Sequence, residues 1–321
     1  MRSQLGLIIS VLFLATLVVI LCFVFIPKKD TNGYFLSPLP DFLSIKNNKQ
    51  VKLLDLWSPL IESIASDGES LPEYTAQSIL LYDLTLNKTL YEHNAKLRLP
   101  MASLTKIMTA IIAYENKSPD DLYPVYESNL VGEDSMGLSA GEELSFSDLL
   151  YGLMLPSGND AAEVLATNYP QGRQAFIQAM NDKARALGLV DTQFSNPSGL
   201  QGDGEQHSTS YDLLIITKYA FDTIPQFKEV VSTYEYHIPE TDTHKAYDLF
   251  NETNLLTSYP GVKGVKTGYT PEAGMCLITL LDYKGHKIIG VILNSQNRRD
   301  EMRNFLDYSL IQLGIDPPAH Q

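Results

Sequence analysis

Strand-like segments occur near both ends of the folded part of this chain, and helix-like segments fill the sequence between them. Apolar runs bounded by turn residues predict the strands, and apolar positions three and four residues apart predict the helices. A strand–helix–strand repeat needs alternating elements, and this order does not provide them. We therefore expect an α/β architecture of the α+β type, in which distant segments form one antiparallel sheet.

The turns Asn87-Lys88 and Lys284-Gly285 separate two pairs of predicted strands. Ser145 is placed to cap a helix, and Gly188 follows another near its C-cap. The predicted strands are 77–83, 89–92, 264–269, 275–282 and 287–294. The predicted helices are 103–115, a segment ending near 155, 159–167, 173–187, 211–221 and 299–313.

The N-terminal run 5–26 is apolar and carries no charge. At about 1.5 Å per residue it is long enough to cross a hydrocarbon core of about 30 Å. A cleaved signal peptide has a shorter apolar stretch and a small-residue cleavage site, and neither is present. We therefore expect an uncleaved transmembrane anchor, preceded by a tail at 1–4.

A stem at 27–73 follows the anchor and leads to a folded domain at 74–321. Prolines and a polar string characterise the stem. Part of it has apolar residues at helical spacing, which predict a short amphipathic helix that lies either on the membrane or on the domain, and we favour the domain. Those residues are Leu53, Leu54, Trp57, Leu60, Ile61 and Ile64.

Charge and composition exclude several classes of function. The formal net charge of −14 argues against a nucleic-acid partner, which needs clustered Lys and Arg. The histidines show no metal-ligand spacing, and Cys22 and Cys276 cannot form a disulfide framework. We expect no metal and no cofactor.

Ser103 and Lys106 stand three residues apart at the start of a predicted buried helix, and therefore on one face. A serine becomes a good nucleophile when a base takes its proton, and a lysine becomes a base when its pKa is lowered. Burial and the positive end of the helix dipole both lower the pKa of an amine. Ser103 is the candidate nucleophile and Lys106 its base. Chance supplies such a pair about once in a chain of this length, so further partners are required.

Two further strings follow in order. Ser157 and Asn159 lie on a predicted loop between helices. Lys266-Thr267-Gly268 lies on a predicted strand, where Lys266 and Gly268 face one side and Thr267 faces the other. The three motifs in this order are far more specific than any one of them.

This combination is the signature of serine penicillin-recognising enzymes. The surrounding sequence resembles the low-molecular-weight penicillin-binding proteins of the D-alanyl-D-alanine carboxypeptidase family, over about 75–313. The resemblance is carried by Ala102-Ser103-Leu104-Thr105-Lys106-Ile107-Met108-Thr109-Ala110, Leu155-Pro156-Ser157-Gly158-Asn159-Asp160-Ala161-Ala162, Phe194-Ser195-Asn196-Pro197-Ser198-Gly199-Leu200, Gly261-Val262-Lys263-Gly264-Val265-Lys266-Thr267-Gly268-Tyr269-Thr270 and Ala273-Gly274-Met275-Cys276-Leu277.

The resemblance implies a β-lactamase/transpeptidase-like fold, with helices on both faces of the sheet and a helical cluster that holds the Ser-x-Asn loop. It implies that Ser103 attacks, that Lys106 takes the proton, that Ser157 relays a proton and that Asn159 orients the substrate and Lys106. The implied oxyanion hole consists of the N–H groups of Ser103 and Tyr269. Lys266 and Thr267 are implied to bind the terminal carboxylate, and Gly268 belongs to the same substrate-binding strand. Family members often add an arginine at the carboxylate end of the cleft, for which Arg298 is the candidate, with Arg299 adjacent to it.

The function implied is that of a serine-type D-alanyl-D-alanine carboxypeptidase. It would remove the terminal D-alanine from peptidoglycan stem pentapeptides through an acyl-enzyme, and β-lactams would inhibit it. Its substrate places the catalytic domain outside the cytoplasm, tethered to the bacterial cell membrane. One alternative is a β-lactamase of the same fold, although no Glu-x-x-Leu-Asn string follows the Ser-x-Asn motif. A second is a non-catalytic peptidoglycan-binding protein, which would be expected to have lost Ser103 or Lys106. Transpeptidation or endopeptidase action by the same site also stays open.

Overall fold

The computed structural model describes residues 57–61, 70–117, 121–200, 204–253 and 255–320. The predicted tail at 1–4, the predicted anchor at 5–26 and most of the predicted stem lie outside these residues. Within the described ranges, no helix combines the length and the apolar character needed to cross a membrane.

The described residues form strands, α-helices and 3₁₀ turns. The strands are β1 (Ser78–Asp83), β2 (Lys88–His93), β3 (Leu122–Pro124), β4 (Glu143–Ser145), β5 (Glu235–Ile238), β6 (Tyr247–Phe250), β7 (Val262–Thr270), β8 (Gly274–Tyr283) and β9 (His286–Ser295). The α-helices are α1 (Lys106–Asn116), α2 (Phe146–Met154), α3 (Asn159–Thr167), α4 (Arg173–Ala186), α5 (Ser210–Thr223), α6 (Phe227–Ser232), α7 (Leu255–Ser258) and α8 (Arg298–Gln312). Two 3₁₀ turns span Ala102–Thr105 and Glu127–Asn129.

Five strands form one antiparallel sheet in the order β2-β1-β9-β8-β7. The N-terminal hairpin thus pairs with the last strand of the chain, as the distribution of strand-like segments predicted. Strand β7, which carries Lys266, Thr267 and Gly268, is an edge strand. An edge strand leaves backbone donors and acceptors unpaired on its outer side, where an extended ligand can bind.

Alternate residues of the central strands pack on opposite faces of the sheet. In β1, Leu80 and Tyr82 belong to the core that contains α1 and the helical cluster. Ile79 and Leu81 belong to a second core, against α8. The two-residue period of a strand therefore gives the sheet an apolar surface on each face, and helices cover both. This arrangement confirms the predicted α+β transpeptidase-like architecture.

The sequence predicted that Ser103, the candidate nucleophile, lies on the first turn of an α-helix, and this prediction is wrong. Ser103 lies in the 3₁₀ turn Ala102–Thr105, and α1 begins at Lys106. Ala102, the first residue of this turn, has a φ of +48°, in the left-handed region that the interior of a right-handed helix does not use. The backbone therefore turns at Ala102, directly before Ser103.

The predicted stem helix is wrong for 57–61, which has no regular secondary structure. The segment does pack on the domain, as expected. The Trp57 ring stands edge-on to Tyr82 with centroids 5.4 Å apart, and Trp57 Nε1 donates to Asn87 Oδ1 at 3.0 Å. Thr89 Oγ1 donates to the Leu60 carbonyl at 2.7 Å. The Leu60 carbonyl is thus bonded to a strand residue instead of to a helical turn.

Gly264 allows β7 to pack closely on α6. It has a φ of +91° beside an irregularity in the β7–β8 register, and a Cβ there would lie 2.3 Å from the Val231 carbonyl oxygen. Gly285 has a similar φ of +88°, but a Cβ there would have no atom within 4 Å. The two glycines share a backbone conformation and differ in their surroundings.

We expect Gly285→Ala to lower the free energy of unfolding by about 1–2 kcal/mol, the cost of a left-handed alanine. Gly264→Ala should cost about 1–3 kcal/mol more, because the added methyl group must displace α6. Urea denaturation of both variants measures the difference. Equal destabilisation would show that the β7–α6 contact yields without cost.

Candidate active site

Two glycines hold the turn that carries Ser103. A Cβ on Gly199 would lie 2.1 Å from the Ala102 carbonyl oxygen, and a Cβ on Gly268 would lie 3.0 Å from Ser103 N. The turn is therefore enclosed between the Gly199 loop and strand β7, and only glycine permits either approach. Ser103 is 9% exposed and lines a cleft of about 910 Å³.

Lys106 connects the turn with two other segments. Its Nζ donates to Ser103 Oγ at 2.8 Å, to Asn159 Oδ1 at 2.7 Å and to the Ser198 carbonyl at 2.7 Å. The side chain is fully buried. The predicted nucleophile, the predicted base and Asn159 are therefore brought together as the sequence proposed, and the Ser198 carbonyl is an additional partner.

The number of protons on Lys106 decides the direction of these hydrogen bonds. An ammonium can donate to all three partners. A neutral amine has two N–H groups and one lone pair, and the Asn159 and Ser198 oxygens can only accept. Ser103 is the one partner of the three with a proton to give. A neutral Lys106 therefore directs its lone pair at the Ser103 hydroxyl.

Burial drives the pKa of Lys106 well below its usual value, and the nearby positive charge of Lys266 lowers it further. Asp134, Glu252 and Asp160 oppose this shift. Because burial is the largest cause, the neutral, basic form of Lys106 is favoured by the fold itself. This is the state that the activation of Ser103 requires.

Ser157 is held in an uncommon conformation at the cleft. Its φ is +62°, in the left-handed region, and its side chain is 1% exposed. Among the described residues, its Oγ has no hydrogen-bond partner. A buried hydroxyl without a partner costs free energy, and strained, unpaired groups are typical of sites that await a ligand.

Strand β7 forms the opposite wall of the cleft. Of its residues, the cleft is lined by Thr267, Gly268 and Tyr269, whereas Lys266 is buried and does not line the cleft. Burial lowers the pKa of Lys266 to about 8, although Glu252 and Asp134 raise it. Thr267 pairs with Leu277 of the α8-side core, and Gly268 approaches the Ser103 turn, which agrees with the predicted alternation.

Arg298, at the start of α8, also lines the cleft. Its guanidinium donates to the carbonyls of Gly268 at 2.6 Å and Cys276 at 3.3 Å. These bonds hold a second cation beside β7, where the resemblance had placed it. Tyr269 also lines the cleft and is 61% exposed.

The sequence did not indicate the acidic wall that faces β7. Glu133 and Asp134 lie on the loop before β4, and Glu252 follows β6. Glu252 N donates to the Leu155 carbonyl at 3.3 Å, which places it next to the Ser157 loop. Charged residues in loops carry no periodic signal, so only the fold reveals that these three line the cleft.

Cys276 packs at the base of β8 and does not enter this chemistry. It is fully buried, and burial raises the pKa of its thiol to about 11. A thiol that keeps its proton is a poor nucleophile. The expectation that Cys276 is a packed small residue is therefore supported.

The geometry is that expected of a serine acyl-transfer enzyme with a lysine as the candidate base. A buried amine is hydrogen-bonded to Ser103, and a second serine, Ser157, lines the cleft without a partner among the described residues. Two cations, Lys266 and Arg298, lie on or beside an edge strand. The class is that of the serine penicillin-recognising enzymes.

Comparisons with known proteins agree with this class. The family model described as D-alanyl-D-alanine carboxypeptidase matches residues 65–297. The D-alanyl-D-alanine carboxypeptidase DacF of Bacillus subtilis is 33% identical over 264 residues, which are 78% of this chain and 67% of that protein. The crystal structure of the Streptomyces K15 DD-transpeptidase is 32% identical with a TM-score of 0.71, and covers 76% of this chain and 100% of that one.

Penicillin-Binding Protein D2 of Listeria monocytogenes, solved in an ampicillin-bound form, is 29% identical with a TM-score of 0.64. The match covers 73% of this chain and 97% of that one. The chain belongs to the D-alanyl-D-alanine carboxypeptidase family, and the prediction of a serine-type hydrolase is confirmed.

The pKa of Lys266 generates a prediction. Lys266 is charged below about pH 8 and neutral above it. A penicillin carries one carboxylate, so the second-order rate of acylation should fall as the pH rises through this value. Lys266→Arg keeps its charge, because an arginine pKa lies above about 12, and should move the fall to higher pH. Stopped-time labelling with a fluorescent penicillin between pH 6 and 10 measures both. An identical alkaline limb in the two proteins would refute the assignment.

Proposed function

We propose that this chain removes the terminal D-alanine from peptidoglycan stem pentapeptides, with Ser103 as nucleophile and Lys106 as base. The observation that carries the proposal is the fully buried Lys106 amine, 2.8 Å from Ser103 Oγ, whose other two partners are oxygens that only accept. This arrangement gives a serine hydroxyl a proton acceptor without a histidine. The family's description names the bond that such a serine cleaves.

In the acylation step, Ser103 Oγ attacks the carbonyl carbon of the penultimate D-alanine while its proton passes to Lys106 Nζ. The developing oxyanion is met by the N–H groups of Ser103 and Tyr269, each donor being worth about 3 kcal/mol of barrier. Two features support this hole. Ser103 lies at the start of a 3₁₀ turn, whose first N–H groups lack partners within the turn, and Tyr269 lies on the edge strand.

Breaking the peptide bond requires a proton on the departing amine. Ser157 is suited to relay it, since its Oγ is buried, lines the cleft and has no other partner. Asn159 uses its Oδ1 to fix Lys106. Its amide group is then positioned to orient the substrate as well as the base.

The terminal carboxylate of the peptide binds at β7. Thr267, which lines the cleft, supplies a hydroxyl, and Lys266, buried on the same strand, supplies a positive charge, while Gly268 leaves room for the Ser103 turn. Arg298 adds a second cation while its bonds to the Gly268 and Cys276 carbonyls hold it in place. In a chain with a net charge of −14, such local cations are needed to attract an anionic terminus.

Water completes the cycle by attacking the Ser103 ester, which releases the shortened peptide and returns the proton to Ser103. A β-lactam acylates the same hydroxyl and leaves slowly, which makes it an inhibitor. No Glu-x-x-Leu-Asn string is present to support the β-lactamase alternative. The intact Ser103–Lys106 pair speaks against a non-catalytic binding protein.

Ser103→Ala should abolish both labelling by a fluorescent penicillin and release of D-alanine from a peptide ending in D-Ala-D-Ala, because no other side chain is bonded to Lys106 as a proton donor. Ser147→Ala, which alters an exposed serine on α2, is the matched control and should keep both activities. Persistent labelling of the Ser103 variant would show that the nucleophile is misassigned.

We also propose that residues 5–26 anchor the chain in the bacterial cell membrane with the catalytic domain outside the cytoplasm. The apolar run is long enough for this role, and the substrate, peptidoglycan, lies on that side. The membrane would then act as a partner only through this N-terminal segment.

Cell fractionation tests the anchor. The penicillin-labelled full-length chain should sediment with membranes, and protease added to spheroplasts should remove the domain. A variant lacking residues 2–26 but fused to a cleavable export signal should appear as a soluble, labelled protein. A soluble full-length chain, or one protected from protease, would contradict the proposal.

A further inference from the structure

Asp160, the residue after Asn159, has an unusually complete set of hydrogen-bond donors. Its side chain is 1% exposed. Oδ1 accepts from Met136 N at 3.0 Å and Ala161 N at 2.8 Å. Oδ2 accepts from Ser135 Oγ at 2.5 Å, Gly137 N at 3.1 Å and Leu138 N at 3.0 Å. Three successive backbone N–H groups thus converge on one carboxylate, as in an anion-binding nest.

The loop that Asp160 holds is also a wall of the active-site cleft. Gly132, Glu133 and Asp134 line the cleft directly before the segment that Asp160 binds. The Asp134 carbonyl accepts a hydrogen bond from Asn159 N at 2.8 Å. One pair of neighbouring residues therefore fixes Lys106 on one side and the cleft wall on the other.

We propose that Asp160 is a positioning residue for substrate binding: its carboxylate holds the 135–138 segment, and thereby keeps the wall formed by 132–134 opposite strand β7. The inference rests on the proposed carboxypeptidase reaction. Asp160 does not itself line the cleft, so it acts through the loop and not by touching the peptide.

The loop has a second attachment, which separates positioning from folding. A Cβ on Gly152 of α2 would lie 2.0 Å from Met136 Sδ, so Met136 packs directly on this helix. Without the carboxylate, Met136 N and Leu138 N lose their acceptor and Gly137 N keeps only its bond to Ser135 Oγ at 2.8 Å, so the segment must change its path, while the Met136 contact keeps it near the cleft. The expected result is a displaced wall on a folded domain.

Charge supplies an independent readout. Asp160 is one of the groups that face Lys106, together with Asp134 from the loop, Glu252 after β6 and Lys266 from β7. An anion stabilises the charged amine, so removing it lowers the pKa of Lys106. The acid limb of kcat/KM, which reports the free enzyme's base, should then move to lower pH. A residue with a purely structural role would leave this limb in place.

The test compares Asp160→Asn with Asp83→Asn. Asp83 is the control: it is also fully buried and accepts from the backbone N–H groups of Thr85 at 2.7 Å and Leu86 at 3.2 Å, but it ends β1, where its Oδ2 lies 2.5 Å from His286 Nδ1, and it does not line the cleft. Functional sites are first counted by penicillin titration in each protein. Per site, Asp160→Asn should raise the KM for a D-Ala-D-Ala peptide about tenfold and change kcat less than about threefold. Asp83→Asn should change neither, even if it unfolds at a lower temperature.

An unchanged KM with an unmoved acid limb in Asp160→Asn would overturn the proposal. If that variant yields no functional sites, Ser135→Ala decides, because it removes one of the five donors and leaves the charge. It should raise KM by about two- to threefold, and a wild-type KM would refute the positioning role. Failure of the proposed reaction itself would appear differently, as absence of D-alanine release from the unaltered chain.

Discussion

The contact between the Lys106 amine and the Ser103 hydroxyl is the interaction on which the rest of the site depends. It works only if the amine is neutral, and neutrality requires burial. The fold supplies this by closing three segments over one nitrogen: the 3₁₀ turn, the Ser157–Asn159 loop and the Ser198 carbonyl. Since the Asn159 and Ser198 oxygens cannot donate, the geometry itself leaves the lone pair for Ser103.

The charges around the cleft act together. Lys266 lowers the pKa of Lys106, and in the proposed function it is also one of the two cations for the substrate carboxylate. Before substrate binds, the charge of Lys266 therefore favours the neutral, basic form of Lys106. Asp134, Asp160 and Glu252 oppose the first effect. Asp160 combines this charge with the bonds that shape the cleft wall, so the electrostatics and the architecture of the site are joined in one side chain.

The helices and strands were largely predictable because the spacing of apolar residues and the positions of turn residues are local features of the sequence. The strands, their antiparallel pairing and the long helices agree with the sequence to within a few residues, and the motif residues Ser103, Lys106 and Asn159 meet as expected. The short hairpin β5–β6, the 3₁₀ turn and the extended segment 57–61 were not predicted. Their conformations depend on partners distant in the chain, such as Gly199 for the turn and Thr89 for Leu60.

The sequence by itself determined which residues are the candidates for the chemistry, since the spacing of three motifs is a local property, and it indicated the family that the comparisons confirmed. The tertiary structure alone decided that Lys106 is sealed from water, that Ser157 Oγ is left without a partner and that Asp160 holds the cleft wall. These facts depend on burial and on hydrogen bonds between segments far apart in the chain. Neither quantity exists until the chain has folded.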